Sequence, residues 1–120
     1  MREQMLKSIL SDLNGASADI EASAIISADG LTMAALLPQE VDEDRVGAMA
    51  AAMLSLGERT ARELARGGLE QVMVKGEHGY ILMSHASPDA VLTVIARREA
   101  KLGLIFLDAK RAARSIAEIL

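Results

Sequence analysis

Residues 46–57 read Val-Gly-Ala-Met-Ala-Ala-Ala-Met-Leu-Ser-Leu-Gly, twelve positions without a charge in a small acidic chain. Wound as a helix at 100° per residue, the stretch is apolar or small on every side. Over the next nine residues, through Arg66, the same helix turns amphipathic and gains Glu58, Arg59, Arg62, Glu63 and Arg66. A helix that is apolar all round has to be buried all round. One sheet covers only one side of an outer helix. The other side calls for a second protein, most simply a second copy of this one.

Two stripes follow from the spacing. Val46, Met49, Ala50, Met53, Gly57, Ala61 and Leu64 form a row that survives into the amphipathic half, and this row is assigned to the chain's own sheet. Gly47, Ala51, Leu54 and Ser55 lie roughly opposite and are confined to the first half, so they are assigned to a dimer partner. The alternative is a helix rich in alanine for propensity alone, with its small residues exposed. Leu54 and Leu56 favour the interface, because they are costly to expose beside so many other apolar positions.

Outward from this helix the chain divides into short, well-punctuated elements. Met5, Leu6, Ile9, Leu10 and Leu13 recur at helical spacing over residues 2–14, and Asn14-Gly15 supplies a stop. From Ile20 to Ala28 the pattern alternates, as in a strand. Asp29-Gly30 is a hairpin turn signal, and Leu31–Leu37 returns as the second strand until Pro38 ends it, as expected of an edge. Asp42 or Asp44 can cap the long helix, and Gly67-Gly68 closes it. A meander follows: strands over Leu69–Gly76, Tyr80–Ala86 and Val91–Arg97, then a helix from about Leu102 to Ile119. The order α-β-β-α-β-β-β-α predicts an α+β sandwich, a single five-stranded antiparallel sheet with helices for both faces.

Composition narrows the function. The 120 residues carry 13 basic and 17 acidic side chains, a net charge of −4, with no basic tract and only two aromatics, Tyr80 and Phe106. This argues against nucleic acid, which needs a concentrated positive footprint. No cysteine is present, which excludes disulfides and thiol nucleophiles. The N-terminus is too charged for a signal peptide, and no uncharged run approaches the ~20 residues of a membrane span. A cytoplasmic setting without membrane insertion is expected. Alanine (21 residues) and methionine (7 residues) supply much of the apolar mass, which suits close helix packing and irregular interfaces as well as an ordinary core.

Catalytic chemistry is thin. His78 sits at a turn and His85 in a strand, neither with a second ligand at metal-binding spacing. No serine lies in a nucleophile elbow, and no glycine set has phosphate-loop spacing. Asp29 reads as a turn former, and Asp42, Glu43 and Asp44 as a cap and a solvated loop. No catalytic residue, metal ligand or cofactor is expected, and the chain does not read as an enzyme.

Several local sequences together carry a resemblance. Ala22–Ala34 resembles the opening hairpin of the roadblock superfamily, the dynein-light-chain-like proteins. Gly79-Tyr-Ile-Leu-Met, Ala90-Val-Leu-Thr-Val-Ile, Ala100-Lys-Leu-Gly-Leu-Ile-Phe-Leu and an Ala/Arg-rich final helix resemble its C-terminal half in order. The resemblance implies a profilin-like fold, the long helix on one face of the sheet and the two terminal helices on the other. It also implies a dimer in which the long helices pair about a two-fold axis and edge strands join. Here that edge would be Leu69–Lys75, bringing Leu69, Gln71, Met73 and Lys75 to the interface. Members of the family serve as non-catalytic platforms for Ras-like small GTPases, and the bacterial branch does so in motility and polarity. By that likeness Glu58, Arg59, Arg62, Glu63 and Arg66 would dock the GTPase on a homodimer, or on a heterodimer with a paralogous chain. A constitutive adaptor without a GTPase and a small-molecule sensor are the alternatives.

Overall fold

The computed structural model describes all 120 residues. Its elements are α1 (Arg2–Ala16), β1 (Ile20–Ser27), β2 (Thr32–Leu36), α2 (Glu43–Glu63), β3 (Val72–Gly76), β4 (Gly79–Ser87), β5 (Ala90–Arg97) and α3 (Leu102–Ile119). All strand pairs are antiparallel, in the order β2-β1-β5-β4-β3. The element order and the single sheet are those the sequence predicts.

Local chemistry explains most boundaries. Gly30, at φ +93°, takes the left-handed conformation that the β1–β2 turn needs. Beside it the Ser27 hydroxyl donates to the Asp29 carboxylate and accepts from the Leu31 amide at 3.0 Å. The Asp42 carboxylate caps α2, accepting from the amides of Asp44 at 2.9 Å and Arg45 at 3.3 Å. Helix α1 runs through Gly15 to Ala16, two residues beyond the expected stop, and Asn14 accepts a 2.7 Å bond from the buried Ser23 hydroxyl. At its C-terminus α2 stops three residues short of Arg66. Ala65 adopts φ +57°, and the Arg66 amide donates back to the Ala61 carbonyl at 2.7 Å, so the chain turns before it reaches Gly67.

Helices cover the sheet on both sides and create two cores. Leu6, Leu10 and Leu13 of α1 and Ile105 and Ile116 of α3 pack on Ile25, Leu92 and Val94. The opposite core is smaller: Ala50 and Leu54 of α2 against Ala24, Ile26, Met83 and Val91. The central strands β1 and β5 are buried on both faces, which accounts for their Ala/Ile/Val runs. Asp19 fastens the end of the sheet, bonding Arg97 Nε at 2.6 Å and the Lys101 amide at 3.4 Å.

Candidate docking surface on the long helix

Helix α2 is rotated relative to the expectation from its sequence. Gly47 and Leu54, assigned above to a dimer partner, face the chain's own fold. Leu54 is only 2 % exposed within the α2 core. Gly47 lies against the β1–β2 turn so closely that a Cβ there would collide with the Gly30 carbonyl oxygen and stand 3.3 Å from Thr32 Oγ1. Gly47, Ala50 and Leu54, at i, i+3 and i+7, are therefore the inward row. Ala51 is half-buried on its flank and Ser55 is exposed. Met49, Leu56 and Leu64, in contrast, are 60–65 % exposed and Met53 is 37 % exposed. Met49, Met53 and Leu64 were expected against the sheet; they lie on the outside.

The exposed row continues onto the sheet edge. A shallow groove of about 400 Å³ runs between α2 and the start of β3, lined by Met53, Leu56, Thr60, Leu64, Leu69 and Val72 among others. Gly57 lets the two elements approach: a Cβ there would stand 2.8 Å from Val72 Cγ2 and 3.2 Å from Leu69 Cδ2. Leu69 packs on α2, and the ladder with β4 begins only at Val72, paired with Met83. The expected strand start at Leu69 is thus moved by three residues. Strand β3 is an edge, with Gln71, Met73 and Lys75 exposed along it. Lys75 Nζ sits 5.9 Å from the centre of the Tyr80 ring.

Charges line the C-terminal half of α2. Arg59 Nε pairs with Glu63 Oε1 at 3.0 Å, one turn on, and both side chains are well exposed. Arg62 is exposed, and Arg66 Nε donates to the Leu64 carbonyl at 3.0 Å. Glu58 points the other way and meets His85 Nε2 of β4. The five charged residues proposed to dock a partner therefore divide, with Arg59, Arg62, Glu63 and Arg66 outside and Glu58 engaged beneath.

The sequence profile of the Roadblock/LC7 domain matches residues 6–96, from the first buried leucine of α1 to the end of β5. The chain belongs to this family. It is 41% identical to the uncharacterized protein MJ0714 of Methanocaldococcus jannaschii over 116 residues, 97% of both chains. The fold also matches a Roadblock/LC7 domain from Streptomyces avermitilis at a TM-score of 0.88 and 22% identity, covering 93% of this chain and 94% of that one. The gliding protein MglB of Thermus thermophilus superposes at 0.87 and 19% identity, over 98% and 90% of the chains. Profilin II of Acanthamoeba castellanii superposes at 0.64 and 15% identity, over 94% and 97%.

One feature of this Roadblock/LC7 domain escaped the sequence. The sequence places no second ligand at metal-binding spacing from His85, and its partner in the fold is Glu58, 27 positions earlier. Strand parity offered a signal, since His85 shares the face of Met83, which packs under α2. The pair borders a cleft of about 320 Å³ that also includes Arg62, Gly68, Leu69 and Pro88.

Proposed function

We propose that the chain is a homodimeric, non-catalytic regulator that binds a Ras-like small GTPase through the surface of its paired α2 helices. The observation that carries this is the exposed apolar row Met49, Met53, Leu56 and Leu64, continuous with the free edge of β3. A two-fold interface uses one patch twice, and a helix row beside an unpaired strand can bury both in a single contact. Family membership and the likeness in fold to a gliding protein support a place among the motility-type regulators.

In the dimer Gly47 and Leu54 hold α2 to its own sheet, while Met53 and Leu56 meet the partner copy. Leu69 sits at the floor of the groove, and Gln71, Met73 and Lys75 accompany the joining edges. Arg59, Arg62, Glu63 and Arg66 then rim the paired helices and meet the GTPase. Such a platform acts through its differential affinity for the two nucleotide states. The docking role asks of these residues only charge complementarity with the partner.

The test is affinity capture from the native lysate, in parallel with GDP and a non-hydrolysable GTP analogue, read by mass spectrometry. A small GTPase enriched in one state, and lost with Arg59→Ala plus Arg62→Ala in an intact dimer, is the expected result. Large non-GTPase proteins retained equally in both would make the chain a constitutive adaptor. A metabolite co-purifying with the protein would make it a sensor.

A further inference from the structure

Charge is unevenly distributed along the chain. Residues 1–96 hold seven basic and fourteen acidic side chains, whereas residues 97–120 hold six basic and three acidic. Of the second set, Lys110, Arg111 and Arg114 lie on α3, and Arg98 and Lys101 just before it. Ile105, Ala109, Ala112 and Ile116 face the core. On the opposite side Leu104, Leu107, Arg111 and Arg114 fall within an arc of about 80°, and all four are exposed. Leu104 is 56 % and Leu107 53 % exposed, with no element of the chain over them.

The two leucines sit at one end, with Arg98 and Lys101 just before them and Lys110 on the flank, all three exposed. Of the acids nearby, Asp108 is 3.8 Å from Arg111, Asp12 of α1 borders the same cleft as that pair, and Glu99 and Glu118 lie at the two ends of the segment. Two leucines one turn apart on a convex helix offer no pocket or groove to a folded protein, whose stable interfaces need on the order of 1,000 Å² with good complementarity. A bilayer moulds itself to a convex surface. Leucines entering the headgroup boundary with Lys/Arg around them are the composition of an interfacial helix.

We propose that the outer face of α3 docks on an anionic lipid bilayer, Leu104 and Leu107 entering the interface and Arg111, Arg114, Lys110 and Lys101 meeting the headgroups. Helix α3 lies on the opposite side of the sheet from α2. Docking there leaves the α2 surface pointing away from the membrane and open to a protein partner. The inference uses no property of α2, so it stands or falls separately from the GTPase reading.

The experiment is cosedimentation of the full chain with phosphatidylglycerol vesicles and with phosphatidylcholine vesicles. Retention on the anionic vesicles only, released by salt as the screening length contracts from about 10 to about 3 Å, is expected. Lys110→Glu with Arg114→Glu lowers the anionic affinity at least tenfold, given a contribution of roughly fivefold per cation. Leu104→Ser with Leu107→Ser lowers it roughly tenfold and leaves the circular-dichroism melt in place, since both side chains are exposed. Equal binding to both vesicle types, or wild-type affinity in either double variant, would overturn the proposal. So would failure to sediment with anionic vesicles, which would leave this face to an acidic protein.

Discussion

Gly47 of α2 rests directly on Gly30 of the β1–β2 turn, so that the helix backbone touches the hairpin with no side chain between them. That contact sets the rotation of α2. It puts Ala50 and Leu54 under the helix and turns Met49, Met53 and Leu56 outward.

Substitution at Gly47 should therefore cost stability although it improves helix propensity. Gly47→Ala gains up to about 1 kcal/mol in propensity and loses about 1–3 kcal/mol by overpacking. A net loss of about 1–2 kcal/mol in urea denaturation is expected. Gly15→Ala is the control: a Cβ there meets nothing within 4 Å. It should gain about 0.5–1 kcal/mol.

The two sides of α2 should respond in opposite ways. Leu54→Ala removes a buried side chain and lowers stability by about 2–4 kcal/mol, with little effect on association. Met53→Glu with Leu56→Glu leaves the fold intact and halves the mass measured by light scattering. A folded dimer surviving that double change would place the proposed interface elsewhere.

His85 and Glu58 join β4 to α2 across the smaller core. Both side chains are about a third exposed, so the pair is worth little. A double-mutant cycle of Glu58→Ala and His85→Ala should return a coupling of about 0.5–1 kcal/mol. A coupling of zero would mean that the two are not paired in solution.

The Asp42 cap satisfies two amides at the start of α2. Asp42→Ala should cost about 1 kcal/mol, and Asp42→Asn should recover most of it. Thermal melts of the two variants decide the point.

How much of this was legible in the sequence depended on how local each determinant was. Asp29-Gly30 announces the first hairpin, and Asp42 or Asp44 the start of α2, because turns and caps are made by neighbours in the chain; the structure uses Asp42. The apolar spacing of α3 marked its extent for the same reason. The rotation of α2 was not legible. Residues 46–57 are apolar on every side, so periodicity cannot choose a face, and the choice is made by Gly30, seventeen positions away. The late start of β3 has a similar origin. Leu69 is apolar and strand-like in sequence but leaves the ladder to pack beside Gly57. The Glu58–His85 pair joins two elements separated by a loop and a strand, and no spacing rule reaches that far.

The sheet order carries a further consequence, for how the chain is made. Its centre is β1 beside β5, and the pair Ser27–Ala90 closes a loop of 62 residues. Closing a loop of that length costs about 4 kcal/mol plus a constant in chain entropy. The hairpins β1–β2 and β3–β4 can form early from neighbouring sequence, yet neither is stable alone. During synthesis β1, rich in Ala and Ile, waits with one edge unpaired until β5 has left the ribosome. An unpaired apolar edge invites association with other nascent chains. The last quarter of this protein therefore decides whether the first quarter folds or aggregates, and any pause in translation between residues 30 and 90 prolongs that exposure.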